Sequence, residues 1–300
     1  MAAAPDDPFP HLDVVHRSLN ALYRVLSAPT VRSFTESLDA RYASLELGDD
    51  PVIGVQHIAA AVVRHLRLPE ARMIVGFRDM APAAQVELAD GPEYFIEMQN
   101  RYHREHRDIA GVLAHEVTHV FLHRAGLGFD DVEENEILTD VAATYLGAGW
   151  LTMNAHRVSE KHREQLGYLT PPEFGYVLGQ RALAFGEDPL PWFTSPAARQ
   201  AYEVGRSRAR ADRRRPPLAG ADPALRRRYR LHRRTVTALR DDHAVRELSV
   251  AFDDDLRFDG PAPLRVTFSC PTCFQRIRLP VRGPVAARCA VCASTLTCET

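Results

Sequence analysis

The chain has 300 residues, of which 45% are hydrophobic and 25% are charged, and its formal net charge is −2. This composition is typical of a globular protein that can bury a sizeable core. No apolar run reaches the roughly 20 residues that cross a bilayer, and the N-terminus, "MAAAPDDPFPHLDVV", lacks the basic start and apolar run of a secretory signal. We therefore expect a cytoplasmic protein without a membrane partner.

Charge is distributed unevenly along the chain. Residues 206–234 hold twelve arginines against two aspartates, whereas residues 1–205 carry a net charge of −12. An arginine run of this kind can follow phosphates, and Tyr229 and His232 within it could stack on bases. It can equally be a solvated surface or the partner of an acidic face, which the segment 1–205 offers. Nucleic-acid binding through 206–234 is therefore one of several alternatives.

Helical periodicity opens the chain. Residues 11–45 predict two amphipathic helices separated by "SAPT", the first with Val15 and Leu19 on its apolar face. The segment 51–69, "PVIGVQHIAAAVVRHLRLP", predicts a further helix that ends at Pro69.

Strand signals come next. The segments "RMIVGF" (72–77), "AQVEL" (84–88) and "EYFIEMQ" (93–99) are short and rich in β-branched and aromatic residues. The helical period returns at about Asp108, and Gly126 suits the position that follows a helix end. The remaining predicted helices are "ENEILTDVAATYLGAG", 170–185 and 195–211.

Composition shifts divide the chain into four parts. We predict an N-terminal helical segment at 1–50, a core of helices and a small sheet at 51–205, a basic connector at 206–262, and a cysteine-rich module at 263–300. The break "RRRPPLAGADP" favours a boundary near the start of the connector. The expected fold class is α+β.

The helix that follows the strands contains the motif "HEVTH". Residues four apart share one face of a helix, so His115 and His119 can present imidazole nitrogens to one zinc ion. Glu116 then lies beside the ion, where a carboxylate can take a proton from a zinc-bound water. The motif therefore predicts Glu116 as the general base of a hydrolase.

A catalytic zinc needs a third protein ligand. The segment "ENEILTD" places Glu136 and Asp140 four apart on the next helix. Glu136 would complete a His2Glu set, and Asp140 could accept a hydrogen bond from the other nitrogen of a ligand histidine.

Together, "HEVTH" and "NEILTD" resemble the gluzincin metallopeptidases, whose signature is H-E-x-x-H followed by E-x-x-x-D on a later helix. The resemblance covers about residues 52–150, and the short gap between the motifs is closest to compact, minimal members. It implies a zincin-like core of helices with a small, mostly antiparallel sheet. It also implies zinc binding by His115, His119 and Glu136. In that family an edge strand before the active-site helix binds substrate, and 93–99 is the strand we expect there.

Several residues keep alternative roles open. His123 continues the histidine stripe and could replace the glutamate as a ligand, although packing or capping near the helix end is the alternative that we favour. The donor that stabilises an oxyanion is not identified by the sequence. Tyr145 is the candidate on the second helix, and Tyr102, His103 and His156 are others.

All five cysteines lie between positions 270 and 298, close to the C-terminal end of the sequence. Cys270, Cys273, Cys289 and Cys292 have the spacing C-x2-C-x15-C-x2-C, which suits a closed tetrahedral structural zinc. Flanking strand signals make this module resemble a zinc ribbon. Cys298 is not expected to be a ligand.

An H-E-x-x-H domain joined to a C-terminal ribbon is also similar to the SprT-like proteases, which act on DNA-bound proteins. Their third zinc ligand is a histidine, so Glu136 argues against membership. The likeness is an analogy of function only.

The function expected from the sequence is zinc-dependent hydrolysis of peptide bonds in a protein or peptide substrate, with one catalytic and one structural zinc. Three alternatives stay open. The first is a metal-free helix pair with a polar seam, and the second is a zinc site without activity. The third is a zinc-stabilised binding or regulatory protein associated with nucleic acid.

Overall fold

The computed structural model of the chain divides into two compact units, Met1–Ser207 and Arg208–Thr300. The boundary lies close to the start of the basic connector, and the finer division into four parts stays a prediction. Among the described helices, none is long and apolar enough to cross a membrane. The described residues are 7–42, 50–89, 91–155, 157–158, 163–164, 166–214, 216–218, 223–224, 226–227, 229–231, 234, 249–251, 256–259, 265–281 and 283–300.

The first unit is mostly helical. Its helices are α1 (Leu12–Leu26), α2 (Ala28–Arg32), α3 (Pro51–His65), α4 (Ile109–Arg124), α5 (Val132–Tyr145), α6 (Gly149–Ala155), α7 (Pro171–Phe185) and α8 (Pro196–Asp212), the last of which runs past the unit boundary. Its strands are β1 (Arg72–Arg78), β2 (Ala84–Val86), β3 (Glu93–Gln99) and the short pair β4 (Arg157–Val158) and β5 (Arg163–Glu164).

Helix α4 lies at the centre of this unit and carries the "HEVTH" motif. It packs against α3, α5, α6 and β2. Its apolar residues point in every direction, which is why nearly the whole helix is buried. Gly126 follows its end with φ +63°, as the sequence predicted.

The sheet of the first unit has the order β1–β3–β2. β1 runs parallel to β3, and β2 runs antiparallel to it. The expectation that 93–99 forms a substrate-binding edge strand is wrong, because β3 pairs on both sides. The edge strand that packs against α4 is β2.

The prediction of a second amphipathic helix within 11–45 is also largely wrong. In the described part of this range, α2 and a short 3-10 helix at Ala40–Tyr42 form after α1, and the chain leaves α2 before Phe34 and Leu38, which are nonetheless buried. The carbonyls of Phe34 and Thr35 instead accept hydrogen bonds from the buried guanidinium of Arg181, at 2.6 and 2.9 Å. A distant side chain thus satisfies backbone groups that a longer helix would have satisfied locally.

The N-terminal helices belong to the same core as the metal motif. α1 packs on α5, where the hydroxyls of Tyr23 and Tyr145 lie 2.9 Å apart in the interior. Arg17 of α1 forms an ion pair with Glu134 of α5. The segment 1–50 is therefore integral to the first unit in its described part.

Two caps fix the helices that surround the motif. Asp131 accepts the N–H of Glu134 at 3.0 Å and so begins α5. Thr170 and Glu173 form a capping box that begins α7. These caps fix the residues at which α5 and α7 begin.

The described strands of the second unit form small antiparallel sheets. Its strands are β6 (Ser249–Ala251), β7 (Arg257–Asp259), β8 (Arg265–Ser269), β9 (Arg276–Pro280), β10 (Pro284–Arg288) and β11 (Thr295–Glu299). The first four form one sheet in sequence order, and the last two form a hairpin. The predicted α+β class, with small sheets and a four-cysteine module, is confirmed.

Candidate metal centre and cleft

Three side chains from α4 and α5 converge on one point. The Nε2 atoms of His115 and His119 lie 3.1 Å apart, and Oε2 of Glu136 lies 3.0 Å from the first and 3.3 Å from the second. Tetrahedral bonds of about 2.0 Å to zinc separate neighbouring ligand atoms by about 3.3 Å. The three atoms therefore have nearly the spacing of three corners of a zinc tetrahedron.

The other nitrogen of each ring already has a partner. Nδ1 of His115 lies 2.8 Å from Oδ1 of Asp140 and donates to it. The hydroxyl of Thr139 donates to a backbone carbonyl, so it accepts from Nδ1 of His119 at 3.2 Å. In neutral rings both Nε2 atoms then carry lone pairs. Two nitrogen lone pairs and a carboxylate oxygen face one another, an arrangement that requires a proton or a metal ion between them.

The electrostatics of these side chains lead to the same conclusion. Burial opposes a charged ring, but hydrogen bonds to Asp140 and Glu136 raise the pKa of His115 well above its usual value. Burial likewise opposes ionisation of Glu136, yet hydrogen bonds from the two histidines lower its pKa to about 2. The group of atoms thus favours a positive charge at its centre.

Glu116 points toward the same space without joining the three ligand atoms. Its side chain is buried, and burial raises the pKa of Glu116 although the two histidines act in the opposite direction. The backbone of Val86 on strand β2 has a smaller effect and lowers the pKa of Glu116. A carboxylate with a raised pKa beside a metal site has the properties of a general base.

A cleft of about 570 Å³ opens over these residues. Strand β2 forms one wall of the cleft. Only alternate residues of β2 direct their backbone hydrogen-bonding groups to β3. Glu87 and Ala83 bond to β3. Because alternate residues of an antiparallel strand point their backbone groups to opposite sides, those of Ala84 and Val86 face away from β3. No strand among the described residues pairs with this side of β2, so a sheet edge borders the cleft.

The candidate oxyanion donors expected from the sequence are not brought to the cleft. Tyr145 is fully buried and bonds to Tyr23. Tyr102 is also buried, and the ring of His103 contacts that of Phe77, with 4.1 Å between the ring centres. None of these lines the cleft, and His156 lies outside the described residues.

Sequence reasoning missed Tyr168, which does line the cleft. It lies between α6 and α7, in a segment without hydrophobic periodicity. The only sequence signal for it is its place just before the Thr170 cap of α7.

His123 is not a member of the metal group. It is exposed near the end of α4, and the carbonyl of the same residue accepts the N–H of Gly126. Among the described residues, the group formed by the motif contains His115, His119 and Glu136. The alternative of a third histidine ligand therefore has no support in the geometry.

The four cysteines of the second unit form the other candidate metal group. Each pair sits in a knuckle between two strands, and the two knuckles repeat the same bonds: Cys270 N–H to Gln275 and Cys289 N–H to Ser294. Sulfur atoms from opposite knuckles lie 3.6–3.7 Å apart. Zinc–sulfur bonds of about 2.3 Å place neighbouring sulfur atoms of a tetrahedral site about 3.8 Å apart. The four-cysteine group therefore fits a closed tetrahedral site.

Cys298 is separate from this group. It is buried on β11, paired with Val285 of β10. Burial raises the pKa of its thiol to about 11, which disfavours the thiolate that a metal binds.

Comparisons with protein-family models, with curated proteins and with solved structures give no match. The likeness to gluzincins therefore rests on the two motifs and on the geometry that brings them together. Two candidate metal-binding groups, one His2Glu and one four-cysteine, are what the structure itself establishes.

Proposed function

We propose that the protein is a zinc-dependent metallopeptidase that hydrolyses peptide bonds. The observation that carries this proposal is the convergence of three features on one cleft. These are the His2Glu atoms, the buried carboxylate of Glu116 and the free edge of β2. A metal-free polar seam between two helices would need neither the carboxylate nor the sheet edge.

The donor set fits zinc. Two imidazole nitrogens and one carboxylate oxygen form the usual protein ligands of a catalytic zinc, which keeps its fourth position open. When bound, zinc would act as a Lewis acid toward a carbonyl and lower the pKa of water. The four thiols suit a second zinc with a structural role, because a closed set of four ligands leaves no open position.

Glu116 performs the proton transfers in this proposal. Its carboxylate takes a proton from the water that attacks the substrate carbonyl, and later delivers that proton to the leaving amine nitrogen. The raised pKa of Glu116 brings its basicity closer to neutral pH, which suits both steps.

The substrate binds in an extended conformation along β2. Ala84 offers both its N–H and its carbonyl to an added strand, and Val86 offers its carbonyl. Main-chain hydrogen bonds of this kind bind an extended peptide with little regard to its sequence.

The decisive experiment compares the wild type with Glu116→Gln on an unfolded protein and on a mixed peptide library. The expected result is cleavage by the wild type and loss of cleavage in the variant, with zinc content unchanged. Glu203→Gln, at an exposed carboxylate of α8, is the matched control and keeps full activity. Equal cleavage by the wild type and Glu116→Gln would show that any activity belongs to a contaminant.

A zinc-loaded wild type that cleaves nothing would favour the alternative, a non-catalytic binding protein. Among the described residues of the arginine run, Arg226, Arg227, Arg230 and Arg234 are exposed. Nucleic-acid binding through 206–234 stays a prediction, and His232 lies outside the described residues.

A further inference from the structure

Tyr168 is an exposed aromatic residue in the wall of the cleft. It is 46% exposed and lines the same space as Glu116 and Glu136. Its phenol O–H can donate a hydrogen bond, which makes it the first donor to consider for the substrate.

The other polar residues of the cleft are less suited to contact the reacting carbonyl. Asn135 accepts the N–H of Phe129 with its side-chain oxygen, which holds that amide against a loop. Thr152 is only 6% exposed. Gln85 pairs with Glu97, so its side chain projects from the face of the sheet opposite to the buried Met98.

The backbone around Tyr168 is fixed by the residue that also supports the metal set. Oδ2 of Asp140 accepts the N–H of Tyr168 at 2.6 Å and that of Leu169 at 3.2 Å. Gly167 permits this approach, because it has φ +89° and a Cβ there would lie 2.6 Å from the same oxygen. On the other side, the capping box of Thr170 begins α7. Tyr168 is thus held between two anchors.

We propose that Tyr168 is a catalytic residue, and that its phenol donates a hydrogen bond to the substrate carbonyl oxygen as this oxygen becomes negatively charged. This inference rests on the proposed peptidase function. Water oxygen bonds to the carbonyl carbon, and the π electron pair moves to the carbonyl oxygen. Glu116 takes one water proton and delivers it to the amine nitrogen, which keeps the electron pair of the breaking C–N bond, while the electron pair on the oxygen re-forms the carbonyl of the acid product. Tyr168 keeps its own proton throughout.

The surroundings of the phenol support this role. Burial raises the pKa of Tyr168, and the nearby carboxylates of Glu136, Asp140 and Glu116 act in the same direction. The O–H group therefore stays a donor at neutral pH. A donor aimed at charge that develops only in the transition state accelerates the reaction without tightening substrate binding.

The test compares wild type, Tyr168→Phe and Tyr94→Phe in steady-state cleavage of one peptide. Removal of an oxyanion donor typically lowers kcat by about 100-fold, so this loss is expected for Tyr168→Phe with KM within about threefold of wild type. Tyr94, whose hydroxyl accepts a bond from Arg124 outside the cleft, is the matched control. Zinc content and binding of a phosphinic peptide, which mimics the tetrahedral state, are measured on each variant.

The expected pattern is a lower affinity of Tyr168→Phe for the phosphinic peptide, with unchanged zinc content. Full kcat in Tyr168→Phe, beside an active wild type and an inactive Glu116→Gln, would overturn the role of Tyr168 alone. A loss of kcat that follows a loss of zinc would overturn it as well, because the side chain would then be structural. An inactive, zinc-loaded wild type would overturn the peptidase proposal and this one together.

Discussion

The carboxylate of Asp140 accepts a hydrogen bond from Nδ1 of His115 at 2.8 Å, and Asp140 is buried while the His115 side chain is 16% exposed. The second oxygen of the same carboxylate accepts the backbone N–H of Tyr168. One buried side chain therefore orients a candidate metal ligand and anchors the wall of the cleft. A substitution that moves the Asp140 carboxylate is therefore expected to affect both the position of His115 and the backbone of Tyr168.

Replacement of Asp140 by Asn should weaken zinc binding at the His2Glu group. The amide oxygen can still accept hydrogen bonds on one side, but the NH2 group on the other side cannot accept, and the negative charge is lost. Loss of such a partner typically costs 10- to 100-fold in metal affinity. Competition with a chelator would measure this, with Asp131→Asn as the control, since Asn caps α5 as well as Asp does. Unchanged affinity would show that Asp140 serves only the 166–169 segment.

Gly167→Ala should destabilise the first unit more than a typical glycine replacement. Gly126 has a similar positive φ but open space around its Cβ position, whereas at Gly167 the Cβ would meet Asp140. A positive φ costs an alanine about 1–2 kcal/mol of free energy of unfolding in both variants. The additional loss in Gly167→Ala therefore measures the collision of the new Cβ with Asp140. Urea unfolding of the two variants gives the comparison. Equal losses would indicate that the 166–169 segment moves aside freely.

Zinc content should fall in two independent steps. The wild type is expected to hold two zinc ions per chain, and Glu136→Ala and Cys289→Ser one each. Cys298→Ser keeps two, because Cys298 lies outside the four-sulfur group. Elemental analysis of dialysed protein measures this directly. Two zinc ions in Glu136→Ala would mean that another residue supplies the third ligand.

The first unit should lose stability as the pH falls below about 6.5, the ordinary pKa of histidine. Burial lowers the pKa of His65, whose Nε2 lies 2.8 Å from the carbonyl of Leu146, and the charge of Arg181 acts in the same direction. The unfolded chain therefore takes up the proton first, so stability is complete above the unfolded pKa and declines as pH falls through the folded one. One proton limits the slope to about 1.4 kcal/mol per pH unit.

Urea unfolding between pH 7.5 and 5.5 would measure this dependence. His65→Gln is expected to reduce the slope, and His57→Gln, at an exposed position of the same helix, serves as the matched control. An identical slope in His65→Gln and wild type would assign the pH dependence to other groups.

The arrangement of the strands could not be predicted from the sequence. The alternating pattern of "EYFIEMQ" identifies a strand with one buried face, but this pattern is the same for a central strand and an edge strand. In the β1–β3–β2 order, β1 pairs with β3 although β2 lies between them along the chain, and only long-range packing selects these partners. The short strand β2, with the weaker signal, is consequently the one that borders the cleft.

Local spacing by itself predicted the two candidate metal-binding groups. Residues four apart on a helix must share a face, and two cysteines three apart must fit one knuckle, whatever the rest of the chain does. His115, His119, Glu136 and the four cysteines could therefore be named from the sequence.

Only the tertiary structure decided which other residues reach the site. Tyr145 lies on the same helix as Glu136, but the packing of α1 against α5 directs its hydroxyl to Tyr23. Tyr168 is separated from Glu136 by the rest of α5 and all of α6, and it reaches the cleft because Asp140 binds its backbone. Contacts of this kind depend on how separate elements pack, and no periodicity along the chain encodes them.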